Sequence, residues 1–477
     1  MHKNKFLKTA IVTGLSLSML CSCTQAPDET MEATGMEETT ATETTATETT
    51  APATVTPELE GYNLLWADEF DGDTLNEAIW NRELREPGWT NNELQEYTDS
   101  EDNIYVENGC LVLRALREDR NGTPYYTSGK VNSQNNAQFQ YGRVEVRARV
   151  PEGQGLWPAI WMMPQDESLY GQWPKCGEID IMEVLCNDTT TSYSTIHYGE
   201  PHAEQQGIFY LDSGSFSSDF HVWAVEWEPG EMRFYTDDQL VLTVNDWFTA
   251  AGGEEQPYPA PFNQPFFVQL NLAVGGDWPG NPNDSTDFEN ARFEIDYVRV
   301  YQRDEYDMNV ERPPMEFREA LEDGNFIYNG DFADDAENLN DEEDWFFLQL
   351  NEGVGSARIE DNQIIIETEN DGTEEYSIQL VQPDLPVVNG HTYRVTFDIM
   401  AEEDRDCVVC VSAPRAGWIR YLPDTTIDIG PEWQTFTYEF TSNERDDNYG
   451  RLEFNMGNHG YTSTIHITNV RYEDITE

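Results

Sequence analysis

Basic residues are scarce in this chain: 27 lysines and arginines stand against 91 aspartates and glutamates, a formal charge of −64 over 477 residues. Phosphate binding needs clustered Lys and Arg, so nucleic acid is excluded as a partner. The acidic surplus runs through the whole chain rather than one tail. It keeps the protein soluble and repels acidic polymers, which favours a neutral partner over a sulfated or uronic one; a salty habitat would select the same surplus. Cysteine is sparse too. Beyond Cys21 and Cys23 there are Cys110, Cys176, Cys186, Cys407 and Cys410, an odd set without disulfide-framework spacing. Ten extended residues between Cys176 and Cys186 would span about 33 Å, against a Cα limit of about 7 Å for a disulfide. Cys407-Val-Val-Cys410 lacks a second C-x-x-C to complete a metal knuckle. It lies in a Val-rich strand pattern whose i and i+3 side chains face opposite ways, so buried thiols are expected.

Long apolar runs are missing as well. Thr9 to Leu20 is the apolar core of the N-terminal segment, behind Lys3, Lys5 and Lys8. It is too short to span a bilayer stably and reads as an export signal over residues 1–23. The segment ends in Leu20-Cys21-Ser22-Cys23. That ending resembles the bacterial lipoprotein box, which implies lipidation at Cys23 and an extracellular or cell-surface protein held to the membrane only through that anchor. Residues 24–58 are Thr, Glu and Ala, with Ala-Thr-Glu-Thr-Thr at 41–45 and again at 46–50. Apolar content there is too low for a core, so an acidic, self-repelling spacer is expected.

Helical periodicity is nearly absent from the rest. Gly142 to Val150 alternates, with Val144, Val146, Ala148 and Val150 on one side and Arg143, Glu145, Arg147 and Arg149 on the other. Phe220–Trp227, Met232–Tyr235, Phe266–Leu272 and Phe293–Tyr301 read as further strands between Gly, Pro, Asn and Asp breaks. The pattern makes residues 59–302 an antiparallel β-sandwich. Residues 303–325, charged and carrying Pro313-Pro314, form a linker in which Glu316–Leu321 is read as one or two helical turns. Residues 326–477 repeat the strand pattern in a second, smaller β-sandwich, so the fold class is all-β.

One stretch carries chemistry: Gly177-Glu178-Ile179-Asp180-Ile181-Met182-Glu183-Val184. Carboxylates in an apolar strand are costly to bury. On a regular strand Glu178, Asp180 and Met182 share one face and Glu183 points away. A β-bulge near Met182 would return Glu183 to the acid face. Two glutamates flanking an aspartate then fit retaining glycoside hydrolysis, whose carboxyls sit roughly 5–5.5 Å apart.

Further motifs surround that strand: Leu65-Trp-Ala-Asp-Glu-Phe-Asp71, Asn91-Asn-Glu-Leu-Gln-Glu-Tyr97, Gly155-Leu-Trp-Pro-Ala-Ile-Trp-Met162, His197-Tyr-Gly199, Asn271-Leu-Ala-Val-Gly-Gly-Asp-Trp-Pro279 and Asp296-Tyr-Val-Arg-Val-Tyr301. Together they resemble glycoside hydrolase family 16 in its laminarinase-like, endo-1,3-β-glucanase branch. The resemblance implies a jelly roll with Glu178 as nucleophile, Glu183 as general acid and then base, and Asp180 orienting the nucleophile. It implies a substrate face built from Asn91, Trp157, Trp161, His197 and Trp278. Lys130 stands where the resemblance leads one to expect an arginine facing the sugar. No cofactor is implied for catalysis, but a structural calcium is, on Glu69, the carbonyl of Gly109 and Asp296.

Residues 326–477 resemble a carbohydrate-binding module of the family 4/9 type through Asn329-Gly-Asp-Phe332, Tyr376-Ser-Ile-Gln-Leu380, Asn389-Gly-His-Thr-Tyr393, Trp433-Gln-Thr-Phe436 and Ile467-Thr-Asn-Val470. The resemblance gives Trp345, Tyr376, Gln379, Trp418, Tyr421 and Asn455 as candidate sugar contacts. The expected protein is a monomeric, exported retaining β-1,3-glucanase whose partner is a β-glucan. Mixed-linkage β-1,3-1,4-glucan is the alternative substrate. A non-catalytic glucan-binding protein and a transglycosylase are the competing functions. The first would have lost Glu178 or Glu183; the second differs only in the acceptor.

Overall fold

The structure, a computed structural model, describes residues 59–333 and 345–476. Cys23, where lipidation is expected, and the expected export segment and spacer (residues 1–58) lie outside the described residues. Among those described there is no α-helix; one short 3-10 turn spans Glu375–Ser377.

Two antiparallel sheets make the first domain. One has eight strands, in the order Gln239–Val244, Glu231–Thr236, His221–Glu228, Gly142–Arg149, Arg292–Gln302, Cys110–Arg114 and Ile104–Glu107, with Asn63–Asp68 pairing the strand Arg292–Gln302. The other has seven: Ala203–Tyr210, Thr191–Tyr198, Glu178–Glu183, Leu156–Pro164, Phe266–Val274, Lys130–Asn132 and Asn81–Arg82. Their inner faces share one core, in which Val144, Val146, Ala148 and Val298 of the first sheet meet Ile160, Ile179, Val268 and Leu270 of the second. The alternation read from residues 142–150 is therefore the sandwich itself. Arg143 departs from it: it is buried among Glu145, Glu226 and the ring of Tyr235, because a charge turned from the core is still enclosed when its neighbours pair with it.

The second domain stacks two five-stranded sheets. Phe346–Gln349, Ile378–Val387, Asp447–Asn455, Arg405–Ala413 and Ile419–Ile429 form one; Gly353–Glu360, Gln363–Asp371, Ile465–Asp474, Thr392–Ala401 and Gln434–Thr441 form the other. Its separate core is built on Ile364, Leu380, Phe397, Val409 and Phe454.

The helix expected at Glu316–Leu321 does not form. The carbonyls of Glu316 and Glu319 accept instead from Asn448 Nδ2 (2.8 Å) and the Tyr328 hydroxyl (3.0 Å). Phe317, Ala320 and Leu321 would share one helical face, but Ala320 and Leu321 stay exposed, so no packing holds so short a helix together. The five described cysteines are free thiols, as expected, and four of them are buried. Burial pushes the Cys176 and Cys407 thiols up to about 12.

Candidate active site

Strand Glu178–Glu183 carries the acid row. Against Thr191–Tyr198 it pairs Glu178 with His197, Asp180 with Thr195 and Glu183 with Tyr193. The partners step by two each time, whereas the acids step by two and then three. Against Leu156–Pro164, Asp180 faces Trp161 and Met182 faces Ile160, so two residues span one. A single bulge at Ile181–Met182 explains both shifts. Ile181 and Met182 are both buried in the core, so all three carboxylates share the opposite face, with Trp157, Ala159 and Trp161. Gly177, at φ +84°, starts the strand where a Cβ would lie 2.8–2.9 Å from Phe262 and Pro261. Only glycine turns the chain there without displacing that packing.

The environments of the acids differ. Burial, then the repulsion of nearby carboxylates, drives the Asp180 carboxyl far above its ordinary range. A protonated Asp180 can donate to Glu178, which a second carboxylate could not do. Glu183 is pushed up to about 7, chiefly by burial; His197 opposes the shift and Glu178 adds to it. Removal from water is thus the larger cause, ahead of the Glu178 charge. Glu183 Oε1 accepts from Trp157 Nε1 at 3.1 Å. Glu178 accepts from Trp173 Nε1.

His197 stands beside the row. Its Nε2 lies 3.4 Å from Asp180 Oδ2, and its Nδ1 lies 3.0 Å from His202 Nε2 and 3.3 Å from Glu204 Oε2. Burial alone would lower its pKa, but the Glu204 hydrogen bond and the charges of Glu178, Glu204 and Glu183 raise it on balance.

Aromatic rings border the acids at both ends. At the Glu183 end Trp278, 40 % exposed, meets Trp157 edge-on at 5.5 Å and Tyr193 at 4.9 Å. At the Glu178 end Trp173, 48 % exposed, lies 4.9 Å from His202 and 6.0 Å from His197. Trp161 donates to Asn271 Oδ1 at 2.6 Å. Asn91, at φ +48°, donates to Glu93 Oε1 at 3.2 Å, and its carbonyl accepts from the amide of Asp277, tying two loops beside the site. Sequence reasoning passed over Trp173, Tyr193 and Glu93. Trp173 lies in a loop whose composition is unremarkable; Tyr193 becomes visible only once the strand register places it opposite Glu183.

Lys130 is buried, with Nζ 3.6 Å from Glu83 and 4.6–4.7 Å from the rings of Trp161 and Trp89. It braces two indoles from beneath. The calcium ligands fit less well. Both Glu69 oxygens accept from Arg299 at 2.8 Å, and Asp296 accepts from Arg147 at 2.7 Å. A guanidinium already holds the carboxylate edge that a hard cation would need, so calcium is given no role.

In the second domain, Gln379 pairs with Asn455 across neighbouring strands, and Gln379 Nε2 donates to Asn455 Oδ1 at 2.6 Å. Both join buried Glu453, which Ser412 and Arg451 also contact. These side chains alternate with core residues 378, 380, 452 and 454 and so face away from the core. Arg451 lies 4.7 Å over the ring of exposed Trp418; Tyr376 is exposed as well. Two candidates belong elsewhere. Trp345 is buried against Phe332 (5.2 Å) and donates to the carbonyl of Asn329. Tyr421 is buried, with its hydroxyl 2.9 Å from Asp447 Oδ2. Both are core residues, a role for which aromatic side chains are equally suited.

The sequence profile of glycosyl hydrolases family 16 matches residues 91–299, and that of a carbohydrate binding domain matches residues 324–464. Glucan endo-1,3-beta-glucosidase A1 of Niallia circulans is 38 % identical over 266 residues, covering 52 % of this chain and 39 % of that protein, so the chain spans well under half of this relative. Beta-glucanase of Rhodothermus marinus is 38 % identical over 249 residues, covering 50 % of this chain and 85 % of that protein. The solved catalytic domain of an endo-1,3-beta-glucanase (laminarinase) from Thermotoga petrophila is 37 % identical, with 52 % of this chain and all of that one covered at a TM-score of 0.45. With the acid row in place and an alignment taking in most of the Rhodothermus protein, the chain belongs to glycosyl hydrolases family 16.

Proposed function

We propose that the chain is an endo-acting β-1,3-glucanase that works with retention, exported and held at the cell surface through Cys23, with its second domain gripping the same class of polymer. The observation that carries the reading is the bulge that sets Glu178, Asp180 and Glu183 opposite His197, Thr195 and Tyr193. Glu178 attacks the anomeric carbon and the glycosidic oxygen leaves with the proton of Glu183. Glu183, now a carboxylate, takes a proton from the water that releases the sugar. Asp180 holds the attacking carboxylate by hydrogen bond, and Trp157 orients the acid. Exposed Trp278 and Trp173 give apolar sugar faces a place to pack. Neutral glucan suits the acidic surface, and the extra residue Met182 matches the laminarinase-like pattern. Product analysis on laminarin, lichenan and agarose tests this: intermediate-length oligosaccharides are expected from laminarin first, and agarose cleavage with laminarin untouched would overturn it.

The acid must be protonated before the first step. With Glu183 at about 7, kcat/KM for laminarin is expected to fall as pH rises through about 7 and to approach a tenfold loss per pH unit beyond it. In the E183Q variant that alkaline limb should vanish. A limb that persists there belongs to another group.

The second domain separates its two kinds of tryptophan. Trp418→Ala should weaken binding of the chain to insoluble β-1,3-glucan roughly two- to twelvefold, the 0.5–1.5 kcal/mol of one ring contact, and leave the melting temperature unchanged. Trp345→Ala should cost about 3–5 kcal/mol of that domain's stability. Pull-down on glucan and calorimetric melting would distinguish them.

A further inference from the structure

His197, His202 and Glu204 converge: among the described residues they are the one set of three such side chains whose ligating atoms all lie within 4.8 Å of one another. The separations are 3.0 Å between His197 Nδ1 and His202 Nε2, 3.3 Å between His197 Nδ1 and Glu204 Oε2, and 3.9 Å between His202 Nε2 and Glu204 Oε2. A tetrahedral ion with bonds of about 2.0–2.1 Å to nitrogen and oxygen holds its donors about 3.3–3.4 Å apart. The three distances bracket that value. A proton can bridge only two of these atoms at a time, whereas a dication can take all three. The chemistry is two imidazoles and a carboxylate, a borderline donor set suited to zinc and poorly suited to calcium or magnesium, which prefer oxygen.

A second, independent observation points the same way. Asp180 is 4 % exposed, and its Oδ2 has no hydrogen-bond partner although it faces His197 Nε2 at 3.4 Å. A metal on Nδ1 fixes the tautomer with the proton on Nε2, aimed at that oxygen. An oxygen acceptor on the far ring nitrogen, here the Asp180 carboxyl, is the outer partner that orients a ligating histidine. The rings are already braced, since Trp173 packs on both imidazoles. The outer side is open, with the side chains of His202 and Glu204 31 % and 44 % exposed, leaving room for a water as fourth ligand.

We propose that His197, His202 and Glu204 form a zinc-class cation site on the wall of the acid row, one imidazole away from Asp180. Occupancy pins His197 and places a dication beside the catalytic carboxylates, so it is expected to slow hydrolysis.

The test uses the full chain stripped with a chelator. Zn2+ is titrated by calorimetry into the wild type, His202→Asn, Glu204→Gln and the double variant, and Co2+ is added separately as a spectroscopic probe. One Zn2+ per chain is expected in the wild type. Each single variant should bind at least tenfold more weakly, and visible Co2+ ligand-field bands should be present in the wild type, absent in the double variant and not displaced by Ca2+. Melting temperatures in chelator establish that the variants fold; an unfolded variant is replaced by His202→Gln or Glu204→Ala. Equal Zn2+ affinity in the wild type and a folded double variant would overturn the site. So would Co2+ bands that survive the double substitution or disappear on adding Ca2+.

Discussion

Glu178→Gln should remove hydrolysis of laminarin and Glu183→Gln should cut it severely while the fold survives, and small nucleophiles should then tell the two residues apart. General acid–base assistance is worth about 10²–10⁴-fold, so Glu183→Gln is expected to fall within that range. Glu178→Gln should show no turnover above background, because the bond to the anomeric carbon has no atom to form it. Alanine variants sharpen the distinction. With Glu178→Ala, azide can occupy the emptied space and attack an activated aryl β-glucoside oligomer directly, giving an α-glycosyl azide. With Glu183→Ala, Glu178 still forms the glycosyl-enzyme, and azide intercepts it to give a β-glycosyl azide. The anomeric configuration of each product, read by NMR, assigns the roles. The same anomer from both variants, or substantial residual hydrolysis in both glutamine variants, would end the proposed mechanism. Glutamine retains the shape and hydrogen bonds of both sites, including acceptance from Trp157, so lost activity would not reflect lost structure.

Shifting the register of the acid row by one residue should matter almost as much as removing a carboxylate. Inserting one alanine between Met182 and Glu183 turns Glu183 toward the core, since strand side chains alternate with period two. Activity should drop to the level of Glu183→Gln or below, and the buried charge should destabilise the domain by several kcal/mol. Deleting Met182 has a different consequence. The strand then reads Glu-Ile-Asp-Ile-Glu, a regular alternation that keeps all three acids on one face. The deletion empties a buried side chain's space, at about 2–5 kcal/mol for the lost core packing, yet it should hydrolyse laminarin well above the insertion variant. Melting curves and initial rates on both variants check the ranking. An insertion variant more active than the deletion would show that the bulge is not what aims Glu183.

Much of this was legible without coordinates. Alternation along residues 142–150 gave the sandwich because one face of each strand must leave water. The order Glu-x-Asp-x-x-Glu required a bulge because a regular strand would bury its last acid, and the pairing with Thr191–Tyr198 contains that bulge. Other features were illegible for definite reasons. Trp173 and Tyr193 flank the acids by tertiary register, which no local pattern encodes. Trp345 and Tyr421 have the same chemistry as a sugar platform and differ only in being covered. Glu69 and Asp296 could have faced a cation or an arginine, and their neighbours decided for the arginine.

The sequence alone determined an acidic, helix-poor, two-sandwich protein with three carboxylates on one strand, because composition and period-two alternation act locally on every residue. Tertiary structure alone decided which carboxyl is protonated near neutrality and which histidine faces Asp180. Both depend on exclusion from water and on charges brought together by strands distant in the chain, and that distance leaves no trace in the order of the residues.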